Sequence, residues 1–167
     1  KLAPIPQTAK GEPIYASSLR DLTWKQLLDA DTCTECGRCQ DACPAFAAGK
    51  PLSPKQVILG VRAALQQDGR LLLKNENKAP LLAGEKLSAE VIWSCTTCGA
   101  CVNECPVLIE HVDTIVDFRR HLVIEGKMDT ELQGALKNLG RYGNSFGQSE
   151  RMRARWTQPI QPPIKDA

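Results

Sequence analysis

The eight cysteines of this 167-residue chain all fall in two copies of one pattern. Cys33, Cys36, Cys39 and Cys43 precede Pro44, and Cys95, Cys98, Cys101 and Cys105 precede Pro106. This is C-x2-C-x2-C-x3-C-P written twice, the ligand run of a protein with two cubane 4Fe–4S clusters. Sulfurs at i, i+3 and i+6 can wrap a short loop around three corners of a cube. Tetrahedral zinc usually pairs one C-x2-C knuckle with a distant second pair, which leaves a redundant cysteine in each copy. A disulfide framework would strain against bridge geometry at such short spacings, and no secretory leader is recognised. Thiolate ligation of iron accounts for the whole set, so the expected chemistry is electron transfer.

The fourth cysteine of each run is expected to serve the other cluster, as in two-cluster ferredoxins. Helical turns beginning near Cys36 to Cys39 and Cys98 to Cys101 would point Cys43 and Cys105 away from their own loops. The expected ligand sets are Cys33, Cys36, Cys39 and Cys105 for cluster 1, and Cys95, Cys98, Cys101 and Cys43 for cluster 2. Pro44 and Pro106 lack an N–H and are expected to end the short helices and redirect the chain. At Gly37 and Gly99 a Cβ could obstruct close approach of the backbone to the inorganic sulfides, whose charge amide N–H groups would stabilise. A tight turn that glycine permits is the compatible alternative.

Other side chains near the runs have two readings each. His111 could hydrogen-bond a cluster or carry a coupled proton, or be a helix-start histidine satisfied by Glu110 or Asp113. Trp24 and Trp93 could shield a cluster from water, or simply belong to the core. Lys50 and Lys55 could favour the reduced state or dock an acidic carrier, or be solvated surface.

Helices must position these loops. The twelve-residue windows ending in Pro44 and Pro106 also agree at Thr34/Thr96 and Gly37/Gly99, the signature of a duplicated loop. The 51 residues from Pro44 to Ser94 that separate them are expected to be a structured helical segment. Ser53 and Pro54 form an N-cap and first-position pair, after which Val57, Ile58, Val61, Ala64 and Leu65 recur at helical spacing until Gly69 stops the run. Asp21 to Asp29 reads as a short helix burying Leu22, Trp24, Leu27 and Leu28. His111 to Glu125 places Ile115, Phe118, Leu122 and Val123 on one face before Gly126. Asp129 to Leu139 reads as a helix with Leu132, Leu136 and Leu139 inward. No period-2 strand stands out, so the expected class is all-α.

Residues 1–18, with Pro4, Pro6 and Pro13, are expected to be an extended arm or linker. Residues 19–140 would form the dicluster domain, and residues 141–167, closing with Pro159, Pro162 and Pro163, a second arm. The start at Lys1 without an initiator methionine suits a fragment, a processed product or the ordered part of something longer. With eight aromatics in the chain, cluster ligation is expected to supply part of the stability.

Lys and Arg number 21 against 19 acids, a net charge of +2, which gives no support for nucleic-acid binding. Arg151, Arg153 and Arg155 near Trp156 could touch an acidic partner or lipid headgroups, or be a solvated helix face. No apolar run is long enough to span a bilayer. Eight thiols suit a reducing cytoplasm or the cytoplasmic face of a membrane.

Several segments resemble the dicluster portion of heterodisulfide-reductase-like iron–sulfur oxidoreductases: residues 21–28 (DLTWKQLL), 33–40 (CTECGRCQ), 49–55 (GKPLSPK), 93–101 (WSCTTCGAC) and 109–113 (IEHVD). The resemblance covers roughly Leu19 to Leu139 and implies an α-helical ferredoxin-type fold. It also implies redox partner subunits of CCG-domain, flavin, hydrogenase or cytochrome b type, and membrane association through a partner or another segment. The chain has no adjacent Cys-Cys pair, so the disulfide-reducing site of such relatives has no counterpart in it. The expected function is a relay of single electrons through two clusters within a multi-subunit oxidoreductase. A catalytic heterodisulfide or quinone reductase component, and a cluster-based sensor or structural module, are the alternatives. Cluster potentials span about −700 to +450 mV with charge, hydrogen bonding and exposure, so sequence leaves the direction of flow open.

Overall fold

Polar side chains that satisfy the first free amides set where these helices start. In the computed structural model, which describes residues 16–73, 81–152 and 155–157, Thr23 caps α1 (Trp24–Thr32). Its Oγ1 accepts from the Gln26 N–H at 3.2 Å, and Gln26 Oε1 accepts from the Thr23 N–H at 2.8 Å. The helix therefore begins three residues later than the Asp21 expected from sequence. Leu22 is buried ahead of it, but Trp24 is 78% exposed and Leu28 is 50% exposed. Leu27 packs against the core as expected, but the buried positions of α1 are Gln26, Asp29 and Ala30. Gln26 Nε2 donates to Asp117 at 2.8 Å, so a polar staple replaces the apolar contact that periodicity suggested.

Two short helices, α2 (Arg38–Asp41) and α3 (Pro44–Ala47), follow. Pro44 occupies the first position of α3, with Cys43 as its N-cap, so it starts a helix where it was expected to end one. Ser53 Oγ accepts from the Gln56 N–H at 3.2 Å and caps α4 (Pro54–Leu73) as anticipated. Val57, Ile58, Val61 and Ala64 are buried. The helix runs through Gly69 to Leu73. An interior glycine costs about 1 kcal/mol relative to alanine, which a helix of this length absorbs.

Beyond a turn with isolated bridges Ser18–Leu81 and Ala83–Leu87 come α5 (Ala89–Trp93), α6 (Ala100–Asn103) and α7 (His111–Ile124). Gly126, at φ +67°, marks the stop after α7. His111, Ile115, Phe118 and Leu122 form its buried face, whereas Val123, one step around the helix, is 42% exposed. α1 packs on α4, α5 on α7, and α4 on α7, with Leu19, Ile58, Leu82, Ile92, Ile109 and Phe118 between them. Ala16 is buried here too. Among the described residues every named element is helical, and the all-α expectation holds.

The chain divides into two units, Lys1–Lys127 and Met128–Ala167. In the second, Asp129 accepts from the Glu131 and Leu132 amides and starts α8 (Thr130–Tyr142), which Gly143 closes in the left-handed region. Leu132, Leu136 and Leu139 are 40 to 47% exposed rather than inward. Local caps explain the helix; its apolar stripe lacks the burial expected of it. Arg151, Arg155 and Trp156 fall in short 3₁₀ turns, with Trp156 exposed. Arg153 and the expected proline-bearing ends at Pro4, Pro6, Pro13, Pro159, Pro162 and Pro163 lie outside the described residues.

Candidate metal centre

Each cysteine loop reverses through two left-handed residues: Glu35 (φ +59°) and Gly37 (φ +85°) in the first, Thr97 (φ +54°) and Gly99 (φ +80°) in the second. A Cβ at Gly37 or Gly99 would meet no heavy atom within 4 Å. The left-handed backbone at both glycines suits the turn reading, and the open space beside them leaves room for the close-approach reading as well. The turns launch α2 and α6, which pack against one another and bring the two loops side by side. Gln40 on α2 accepts from the Ser53 hydroxyl at 2.6 Å, tying the first loop to the start of α4.

Cys105 does not gather with the three cysteines that precede it. It shares a hollow with Cys33, Cys36 and Cys39, lined also by Lys55, Pro106, Ile109 and His111. Burial pushes the Cys39 thiol up, and Cys33, Cys105 and Cys36 push it further. Cys101 is pushed up to about 12, chiefly by burial and then by Cys95, with Cys43 and Cys98 adding to the effect. The exchange between runs is reciprocal. Cys39, Cys43, Cys101 and Cys105 are buried, and Cys36 and Cys98 are exposed.

Such thiols resist losing their protons until a cation compensates the charge, which is the chemistry of a thiolate–iron site. Among the described residues no three His, Cys, Asp or Glu side chains converge as a grip for a single metal ion. Four cysteine thiols lining one hollow, as at Cys33, Cys36, Cys39 and Cys105, are a donor set that fits a 4Fe–4S cube with one thiolate to each iron. Backbone amides add to the fit: Ile109 N–H donates to Cys105 Sγ at 3.3 Å, and Thr97 N–H to Cys95 Sγ at 3.4 Å.

The loop after Cys105 is held from an unexpected side. Asp29, buried at the end of α1, accepts from the Glu110 N–H at 3.1 Å and from Lys25 Nζ at 2.8 Å. Lys25 also reaches the Glu110 carboxylate at 3.3 Å. The Lys25/Asp29 spacing of i, i+4 was the available signal in the sequence, but it is shared by ordinary surface pairs. Asp29→Ala is expected to lower stability by about 1–3 kcal/mol, because the part-buried Glu110 amide loses its acceptor. Asp29→Asn, which still accepts, should recover most of that in chemical denaturation. Equal losses in the two variants would assign the effect to charge.

His111 is buried, and its Nδ1–H donates to the Ile109 carbonyl at 3.0 Å, rather than to Glu110 or Asp113 as expected. Burial lowers its proton affinity, which favours the neutral ring. Trp93 is half-buried against the core, with the Arg119 guanidinium 5.2 Å from its ring centroid. Trp24 faces solvent, so it does not belong to the core. Lys50 is exposed, while Lys55 lines the Cys33 hollow.

Residues 25–106 match the family model described as the 4Fe-4S dicluster domain. The chain carries a 4Fe–4S dicluster domain. The cofactors of this dicluster domain are two 4Fe–4S clusters, and the chain has eight cysteines, as many as two such cubes have irons. The chain is 38% identical to a "Probable membrane-anchored ferredoxin" of Chromohalobacter salexigens, over 91% of its own length and 25% of that protein's. It is 36% identical to an EtfAB:quinone oxidoreductase of Syntrophomonas wolfei, over 88% of its length and 24% of that protein's. It is 32% identical to one of the subunits of the dihydromethanophenazine:CoB–CoM heterodisulfide reductase of Methanosarcina barkeri, over 84% of its length and 36% of that protein's. The chain thus spans about a quarter of the length of the first two of these curated relatives. The resemblance to heterodisulfide-reductase-like oxidoreductases holds. Among the described residues no helix is long and apolar enough to cross a membrane.

Proposed function

We propose that this dicluster domain relays single electrons between redox partners of a multi-subunit, membrane-associated oxidoreductase. In this reading Cys33, Cys36, Cys39 and Cys105 hold one cluster, and Cys95, Cys98, Cys101 and Cys43 hold the other. The observation that carries it is the exchange of the fourth cysteines: Cys105 stands with Cys33, Cys36 and Cys39, and Cys43 with Cys101. When bound, a cluster supplies a one-electron couple that changes charge without breaking bonds. The chain's own part is to hold the fourth sulfurs in the core, keep the loops rigid through α2 and α6, and leave one cysteine of each run near solvent. Such a relay needs no acid, base or nucleophile.

The partners proposed are CCG-domain, flavin, hydrogenase or cytochrome b type proteins, met at the cytoplasmic face of a membrane. The names of the relatives support this choice, since they include a membrane-anchored ferredoxin, a quinone oxidoreductase and a component of a heterodisulfide reductase. Anaerobically loaded protein should take up two electrons from dithionite in one-electron steps, seen by electron paramagnetic resonance, and return them to an artificial acceptor. It should turn over neither a heterodisulfide nor a quinone by itself. Turnover by the isolated chain would favour the catalytic alternative, and a spectroscopically silent protein would defeat the relay.

A further inference from the structure

The two cysteine loops are held by arginines in matching ways that differ in charge. Arg62, on α4, donates through Nη1 to the Cys33 carbonyl at 3.0 Å. Arg119, on α7, donates through Nη2 to the Cys95 carbonyl, the equivalent atom of the repeat. Arg62 also pairs with the Glu35 carboxylate two residues beyond Cys33. The position matching Glu35 in the second loop is Thr97, with the same left-handed backbone and no charge. Arg119 completes its contacts on neutral acceptors: Nε and Nη2 donate to the Ile92 carbonyl at 3.0 and 2.9 Å, and Nη2 to the Trp93 carbonyl at 3.2 Å. Its guanidinium also lies over the Trp93 ring. Among the described residues no carboxylate forms an ion pair with it.

We propose that Arg119 is a positioning residue that clamps the Cys95 loop and, by its uncancelled charge, raises the reduction potential of the cluster held there, whereas Glu35 cancels the matching charge of Arg62. The inference rests on both loops holding clusters. An added electron makes a cluster more negative, so a fixed half-buried cation beside it favours the reduced state. Partial burial protects this attraction from solvent screening. Arginine is the residue for the task, since its planar fork spans three carbonyls while remaining charged. Arg38, which is exposed, and Lys55 also stand near the Cys33 loop, and both are left unchanged in every variant below.

The test is a reductive titration of the anaerobically loaded chain, followed by electron paramagnetic resonance. Arg119→Gln, and separately Thr97→Glu, should each make one of the two reduction steps harder by roughly tenfold in the one-electron equilibrium, about 59 mV. The double variant Arg62→Gln/Glu35→Gln, which removes a clamp without changing net charge, should leave both steps near their original positions. Arg119→Lys, which keeps the charge and loses the fork, should shift less than Arg119→Gln. Equal shifts in Arg119→Gln and the double variant would reduce Arg119 to a structural clamp and overturn the proposal. So would unchanged potentials in both Arg119→Gln and Thr97→Glu. If Arg119→Gln fails to retain its clusters, Thr97→Glu decides, because the carbonyl clamp stays in place. A wild-type chain that takes up no iron would instead defeat the underlying cluster reading.

Discussion

Cys43→Ala should lose the cluster built on Cys95, Cys98 and Cys101 and keep most of the iron at Cys33, Cys36 and Cys39. Cys43 is buried at the head of α3 and belongs to the sulfur neighbourhood of Cys101. Replacing its thiol with a hydrogen removes little packing, a loss of about 1 kcal/mol or less on the scale of a buried methylene. The iron it would hold loses an entire ligand, and thiolate ligation contributes far more than that to a metal site. Iron and labile sulfide per chain should therefore fall by about half, with one set of resonances surviving. Cys105→Ala should give the mirror result. Selective loss of the Cys33 cluster in Cys43→Ala would mean that each run holds its own cube.

Phe118→Ala should be the most damaging change away from the sulfurs. Phe118 is fully buried on α7 within the core cluster that includes Cys43 and Cys105, so it supports the platform behind both loops. Truncations of this kind cost about 3–5 kcal/mol, against a total stability of about 5–15 kcal/mol for an ordinary domain. The loaded protein should denature at clearly lower denaturant concentration. The metal-free variant should lose most of its helical circular dichroism at room temperature, because cluster binding no longer adds to its stability. A loss below about 1 kcal/mol would mean that the surrounding core collapses into the cavity.

The cluster chemistry was legible because cysteine spacing encodes geometry directly, and the two runs leave no cysteine over. α4 and α7 were legible because Ser53, Pro54 and Gly126 punctuate strong apolar periods. Periodicity failed where burial is not apolar. Trp24 and Leu28 look like core residues, yet Gln26 and Asp29 take the inward side of α1 through hydrogen bonds to distant residues. Gly69 and Pro44 were misread because local propensity states what a residue permits; tertiary packing decides whether a helix continues or starts there. The roles of Arg62 and Arg119 were invisible for a related reason. Each acts on a backbone carbonyl more than twenty positions away, and no side-chain pattern records a carbonyl.

Within each run it is the second cysteine, Cys36 or Cys98, that stands in the open, while the third and fourth are enclosed. Electron tunnelling weakens steeply with distance, so in the proposed relay these corners would be the doorways for a docking carrier. Dissolved oxygen can use the same doorways. In the proposed relay, shielding them with bulk would lengthen the path of the electrons, so protection from air and ease of transfer pull in opposite directions at these two positions.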